Sequence, residues 1–176
     1  ASITGVVSAA DLQVTAGKTV QIVATNTTAS YSFDVTFVSG GVKLVGTHGT
    51  TFNGAATLFL ANAKSVSAQL GDGNDHVRIT GKGQSVTLAL GGGRNEVICK
   101  NFEAEKLQVS SSGGLRMHAW YSTLGALTVT SGSTGVDHFH AIGLRVTRDT
   151  QIDLGAGLNV VQINDSRFRK FSLQSN

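Results

Sequence analysis

The chain has 176 residues, including 22 glycines and no proline, and 40% of its residues are hydrophobic, 14% charged and 6% aromatic. A disordered chain would carry fewer large apolar residues, and a collagen-like chain would need abundant proline, so both classes are excluded. The net charge is +3, with one basic cluster at Arg167, Arg169 and Lys170. Because nucleic-acid binders concentrate basic charge on one face, this distribution argues against nucleic acid as a partner. No apolar run is long enough for a membrane span.

Short segments with an apolar residue at every second position recur along the chain. The eight segments begin at Val20, Val42, Val66, Val86, Leu107, Leu127, Thr150 and Phe171. Their spacing gives a repeat of about 21 residues, and a fixed period of this length is typical of a solenoid, in which each repeat forms one rung of a coil. An antiparallel β-sandwich also contains short strands and frequent turns, so it is the alternative fold.

Each alternating segment is followed by a turn of small residues and then by a second short strand. A polar column recurs in these turns, and an apolar column precedes the next repeat. The polar column consists of Asp75, Asn95, Asp137 and Asn159, and the apolar column of Phe102, Leu124, Leu144 and Phe168. Asn and Asp suit such turns because their side chains bond nearby backbone groups. The sequence therefore predicts a single all-β domain over 1–176, a right-handed parallel β-helix of about eight three-sided rungs, with 1–19 as an N-terminal cap.

At these turns the sequence resembles bacterial parallel β-helix repeat proteins. The segment Gly71-Asp72-Gly73-Asn74-Asp75-His76-Val77 also resembles the calcium-binding nonapeptide repeat of RTX proteins, over one turn. The second resemblance implies a calcium site at Asp72 and Asp75, since carboxylates and carbonyls of neighbouring turns surround each ion in that family. The alternative is a metal-free turn held by Asx hydrogen bonds. The β-helix resemblance implies an extracellular or cell-surface protein of bacterial type.

Strand alternation also identifies the residues that point outward. On the first strand of each repeat these residues are small and mostly uncharged, which suits a flat surface for docking a polysaccharide or a protein. The second strand is chemically richer. Its outward residues are predicted to form one column of His76, Glu96, His118 and His138, with His140 and Trp120 beside it.

Two ligand chemistries fit this histidine column. His118, His138 and His140 would bind a metal such as zinc if their rings converge. Imidazoles and a carboxylate would also bind sugar hydroxyls, with Trp120 and Tyr121 as a stacking platform. A solvated surface without a ligand is the alternative. The histidine column itself depends on the register of 112–126, because a shift of one residue would turn His118 into the core.

An enzyme is the less favoured interpretation. Some long parallel β-helices that this chain resembles are polysaccharide lyases or hydrolases, but a shared fold does not carry an activity across. Sugar cleavage needs two acids, or an acid and a base, on either side of the scissile bond. Arg116, Asp137 and His138 form the one cluster of that kind, and Asp137 is better explained as a turn residue. The sequence thus favours a non-catalytic exported or cell-surface module with a structural or adhesive role.

Two further functions stay open. The first is a carbohydrate-binding or carbohydrate-cleaving domain that uses Arg116, His118, Trp120, Asp137, His138 and His140. The second is an RTX-like segment folded around calcium; apart from calcium in that case, no cofactor is expected. The expected partners are a polysaccharide or a surface protein. Phe171 and Leu173 begin another repeat, so this last rung is expected to continue into more chain or to join a second copy end to end.

Overall fold

The computed structural model describes residues 10–175, which form strands, turns and bends without a helix. The strands are β1 (Asp11–Thr15), β2 (Thr19–Ala24), β3 (Ser32–Val38), β4 (Gly41–Thr47), β5 (Thr51–Phe52), β6 (Thr57–Ala61), β7 (Ser65–Gln69), β8 (His76–Lys82), β9 (Ser85–Ala89), β10 (Arg94–Ser111), β11 (Gly114–Trp120), β12 (Thr123–Ser131), β13 (His138–Ile142), β14 (Arg145–Asp153), β15 (Val160–Asn164) and β16 (Arg167–Gln174).

Most of these strands stack in two parallel series. One series contains β2, β7, β9, the second half of β10, β12, β14 and β16. The other contains β3, β8, the first half of β10, β11, β13 and β15. A short third side joins them, where Glu103 pairs with Thr123 and Thr123 with Arg145. The predicted parallel β-helix class is confirmed as a solenoid of about five turns with a period near 21 residues, whereas the eight predicted rungs are not confirmed. The right hand of the coil stays a prediction.

The segment that begins at Val42 was predicted as a rung, and this prediction is wrong. It forms β4, which pairs antiparallel with β3 and with β6. The chain reverses at Gly40, whose φ of 88° suits a tight turn, so β4 folds back instead of coiling onward. The next rung strand after β2 is therefore β7, with Val20 directly opposite Val66. Alternation of apolar residues is the same in parallel and antiparallel strands, so the pattern could not separate the two.

The N-terminal end of the coil is covered by antiparallel strands. The predicted cap spans 1–19, of which 1–9 lie outside the described residues. β1 pairs antiparallel with β2 and parallel with β5, and it buries Leu12 and Val14 against the core. The β4 to β6 meander covers β3 in the same way. Both edges of the first rung are thus hydrogen-bonded, which is how natural proteins protect a sheet edge.

Inward side chains of successive rungs lie in register and form one apolar core. Val20, Val66, Val86, Leu107 and Leu127 make one such column, and all five are buried. No rung could bury these side chains alone, so the fold depends on contacts with neighbouring rungs. The burial is incomplete at the C-terminal end, since β15 and β16 have no further strand beside them among the described residues.

The polar column in the turns ties each rung to the next. Asn95 Oδ1 accepts the backbone N–H of Asp75 at 3.0 Å, while its Nδ2 donates to Gly92 O at 2.7 Å. Asp137 Oδ1 likewise accepts the N–H of Leu115 at 2.6 Å. These buried Asx side chains satisfy backbone donors that no strand partner reaches. The predicted structural role of this column is confirmed.

Candidate ligand site on the histidine face

The outward side of the series from β3 to β15 carries four of the five histidines, and we call it the histidine face. The sequence predicted one column of His76, Glu96, His118 and His138, and this prediction is wrong for His118. In the structure, His76 lies opposite Glu96, Glu96 opposite Arg116, and Arg116 opposite His138. His118 lies in the adjacent column, opposite Ile98 and His140.

The length of one rung explains this correction. Glu96 and Arg116 are 20 residues apart, whereas Arg116 and His138 are 22 apart, because the extra two residues lie in the longer turn before β13. The sequence assigned the longer step to the rung that ends at His118. The outward direction of the His118 side chain was predicted correctly, since Met117 and Ala119 on either side of it are buried. Alternation therefore predicts the face on which His118 lies, but not its column on that face.

Glu96 joins histidines of two columns. His76 Nδ1 lies 2.9 Å from Glu96 Oε2, and His118 Nε2 lies 3.5 Å from Glu96 Oε1. Each carboxylate oxygen therefore faces a different imidazole, on the preceding and the following rung. The arrangement is half-buried, which weakens screening by solvent.

His118 is the most enclosed of these groups, with 18% of its side chain exposed. Burial lowers the pKa of His118 below its usual value, because desolvation disfavours the charged ring. Glu96 opposes this shift, and the nearby charges of His140, Arg116 and His138 add to it. His118 Nδ1 is buried without a partner in the described part of the chain.

Aromatic rings extend the site towards the corner of the coil. The ring of Trp120 lies 5.0 Å from that of His118 and 6.3 Å from that of His140. The next residue, Tyr121, occupies the corner with φ of 50° and is 63% exposed. A positive φ is costly for a bulky residue, and the equivalent corners hold Asn101 and Gly143. Trp120 thus lies beside the histidines, and Tyr121 follows it at the exposed corner; a stacking platform made of the two stays a prediction.

Other predicted site residues are not brought into this cluster. Asp137 is fully buried and bonded to the turn, so it does not join Arg116 and His138 as an outward acid. His138 lies in the column beside His118, and within residues 10–175 no three His, Cys, Asp or Glu side chains are grouped to hold a metal ion. The predicted zinc set is therefore not assembled.

The carboxyls predicted to bind calcium have different surroundings. Asp72 is exposed and accepts the backbone N–H of Gly92 at 3.0 Å. Asp75 is buried and accepts the N–H of Tyr31 at 2.9 Å. Desolvation raises the pKa of Asp75 to about 7, and the bond from Tyr31 opposes that rise. Calcium at this turn stays a prediction.

The sequence interpretation missed Arg94 as a site residue. Arg94 begins β10, and it lines a cavity of about 390 Å³ together with Arg116 and His138. Arg78 and Lys100 are exposed on the same face, at the same alternating positions as the histidines. Alternation could have identified all three, because Arg94 opens the alternation of β10 two residues before Glu96; its position directly after a run of three glycines made it look like part of the turn.

The fold and this face define a parallel β-solenoid with one histidine-rich and basic side. No protein-family model, no curated protein and no solved structure matches the chain. The part of the chain that the structure describes contains no helix of the length and apolarity needed to cross a membrane. The function is therefore argued from the site itself.

Proposed function

We propose that this protein is a non-catalytic adhesive module, exported or displayed at a cell surface, whose histidine face binds a saccharide. Parallel strands hold the face rigidly, so ligand groups meet side chains that are already positioned. The cluster offers hydrogen-bonding imidazoles, a carboxylate and aromatic rings, the groups that recognise sugar hydroxyls and the apolar faces of sugar rings.

The observation that carries this proposal is the conformation of Tyr121. Its ring is 63% exposed, and its positive φ costs energy that Asn or Gly at the same corner would avoid. Tyr121 lies over Gly143, where an added Cβ would be 2.9 Å from the ring. A strained and exposed aromatic residue contributes little to the fold, which supports a role in binding.

The carboxyls near the histidine face support binding without cleavage. Glu96 is the one acid that contacts these histidines in the described part of the chain, and both of its oxygens face imidazoles. Hydrolysis of a glycosidic bond would need a second carboxyl across the sugar. Asp137, the acid predicted for that role, is buried in its turn.

A glycan microarray followed by titration calorimetry tests the proposal. We expect Trp120→Ala and Tyr121→Asn to weaken binding of any positive glycan by about tenfold each, since stacking on an aromatic ring contributes about 1 kcal/mol or more. Tyr121→Asn is informative because Asn is preferred at this corner, so the variant should melt no earlier than the wild type.

Phe59→Ala is the matched control. Phe59 is also an exposed aromatic residue, but it lies on β6, away from the histidine face. Its removal should leave glycan binding unchanged. A wild-type protein that binds no glycan would refute the proposed function, and release of shorter sugars from a bound glycan would favour the carbohydrate-cleaving alternative.

For the C-terminal end we propose association with a second copy. The core-facing residues Phe171 and Leu173 of β16 are 42% and 43% exposed, and Ile163 of β15 is exposed as well. Two strand edges that are unpaired among the described residues, and that carry apolar side chains, favour edge-to-edge pairing. Sedimentation velocity should detect a concentration-dependent dimer that Leu173→Lys abolishes and Phe59→Lys preserves. A monomer at all concentrations would refute this part of the proposal.

A further inference from the structure

We infer that the ligand of the histidine face carries an anionic group, a sulfate or a carboxylate, which binds between Arg94, Arg116 and His138. This inference rests on the proposed function and specifies the chemical class of the saccharide. It concerns the edge of the face opposite to Trp120. Arg116 and Trp120 are four residues apart on β11, so the two contacts lie about 13 Å apart along the strand.

The first argument is that the cations of this cavity have no anionic partner. Among residues 10–175, neither Arg94 nor Arg116 forms an ion pair, and neither guanidinium donates a hydrogen bond to protein. Glu96 is the cross-strand neighbour of Arg116. Its two oxygens are taken up by His76 and His118, however, and Arg116 is left to line the cavity.

The second argument comes from a comparison with the groove on the third side of the coil. That groove has a volume of about 550 Å³ and also contains charged residues. There the cations are bonded within the protein. Lys82 Nζ lies 2.6 Å from Glu103 Oε1, and Arg148 Nη2 donates to Glu105 O at 2.8 Å. Free guanidinium groups are thus not a property of every depression: in the described part of the chain they occur beside the histidine face and, with Arg145, Arg167 and Arg169, in a smaller depression of about 270 Å³ on another side of the coil.

The third argument is that the backbone leaves room for a ligand group. Gly114 is the cross-strand neighbour of Arg94, and a Cβ added to it would meet no atom closer than 3.9 Å. Gly135 also lines this cavity. The space between the cations is therefore not filled by protein side chains, and it is open to an oxyanion.

The chemistry of the lining selects the ligand class. Guanidinium groups donate paired hydrogen bonds that match the geometry of carboxylate and sulfate oxygens. His138 lies directly opposite Arg116 on the next rung and adds an imidazole to the same cavity. Arg78 and Lys100 make the rest of the face basic, which would attract a chain that carries repeated negative charges.

Three polymers of one backbone test the inference: dextran, carboxymethyl-dextran and dextran sulfate. Binding is measured by calorimetry at two salt concentrations for the wild type, for Arg94→Gln/Arg116→Gln and for Arg167→Gln/Arg169→Gln. The last variant removes the same charge from exposed arginines of β16, which line a separate depression with Arg145 on another side of the coil. We expect the Arg94/Arg116 variant to bind a charged polymer about a hundredfold more weakly than the wild type. Each of the two arginines loses a hydrogen bond to a charged group, which contributes about 1.5 kcal/mol, or about tenfold in affinity.

Each outcome decides the inference. A preference for carboxymethyl-dextran or for dextran sulfate identifies which oxyanion fits, and the Arg167/Arg169 variant should keep that affinity within about twofold. Equal losses in both double variants would show that net charge alone attracts the polymer, and the inference would be wrong. Dextran bound as tightly as its charged forms would also overturn it, while the proposed saccharide function would stand. A wild type that binds none of these polymers, and no glycan on the microarray, removes the function and the inference together.

Discussion

The two ends of the coil are built differently. At the N-terminal end, β1 and the β4 to β6 meander cover the first rung with antiparallel strands, and Phe52 lies fully buried there against Phe33. At the C-terminal end, β15 and β16 present core-facing residues such as Phe171 to solvent. The rungs between them are alike, so the difference comes from the strands that flank the repeat and not from the repeat itself.

This contrast shows how a solenoid obtains its stability. Each interior rung is stabilised by two neighbours, whereas an end rung has one neighbour plus whatever covers it. We therefore expect stability to fall from the covered end to the open end. Amide hydrogen exchange resolved by segment should show slower exchange in β2 and β3 than in β15 and β16.

The largest expected effect comes from removing one aromatic ring at each end. Phe52→Ala leaves a cavity in the buried cap, where the ring meets Phe33 edge to face with centroids 5.6 Å apart. We expect it to lower the free energy of unfolding by about 3–5 kcal/mol. Phe171→Ala removes a ring that is already 42% exposed, and we expect a loss of about 1 kcal/mol. Urea unfolding followed by fluorescence of the single Trp120 measures both. Equal losses would contradict the difference between the ends.

A smaller effect is expected from the Asx column, again with one residue nearer each end. Asn95 is almost fully buried and bonds Asp75 N–H, Gly92 O and Ser111 Oγ. Its replacement by Ala leaves these groups unpaired, so we expect a loss of about 2–3 kcal/mol. Asn159 makes similar bonds but is partly exposed, and water can replace them. Asn159→Ala should therefore cost about 1 kcal/mol in the same urea assay. A larger loss at Asn159 than at Asn95 would reverse the predicted gradient.

The repeat and its inward columns could be predicted from the sequence because they depend on local alternation and on spacing. Residues such as Val66, Val86 and Leu107 have the same neighbours in every rung, so the period alone positions them. The same reasoning failed at Val42, where the period and the alternation continue but the strand runs the other way. Strand direction is decided by the connection at Gly40, and a glycine permits both a tight reversal and a coil turn.

The site was predicted at the level of the face and not of the contact. His76, Glu96 and His118 were expected on one face, and they do meet there through Glu96. Which residues lie opposite each other depends on the length of each rung, which is 20 residues from Glu96 to Arg116 and 22 from Arg116 to His138. A shift of two residues keeps a side chain on the same face but moves it by one column. Arg94 was missed for another reason: it begins the alternation of β10, but it directly follows three glycines and was assigned to the turn.

The smallest expected effect is a gain in stability, at Asp75. Asn95 shows what an amide does in this column, where its Nδ2 donates to Gly91 O and Gly92 O. The corresponding atom of Asp75, Oδ2, is buried and has no partner among the described residues. Asp75→Asn would supply the missing donor, and we expect it to raise the free energy of unfolding by about 1 kcal/mol at pH 8.

The pH dependence of the free energy of unfolding tests whether the buried carboxyl of Asp75 is the cause of this gain. Burial raises the pKa of Asp75 from 3.8 to about 7, so the folded state holds its proton more tightly than the unfolded state. The stability that this carboxyl contributes is then fully present below about pH 4 and is lost as the pH rises through 7. The wild type should lose stability over that interval, and Asp75→Asn should lose less. Asp72→Asn, in the exposed part of the same turn, serves as the control and should keep the wild-type slope. If Asp75→Asn retains that slope as well, the carboxyl of Asp75 is not the titrating group, and the column is held by the same bonds at every pH.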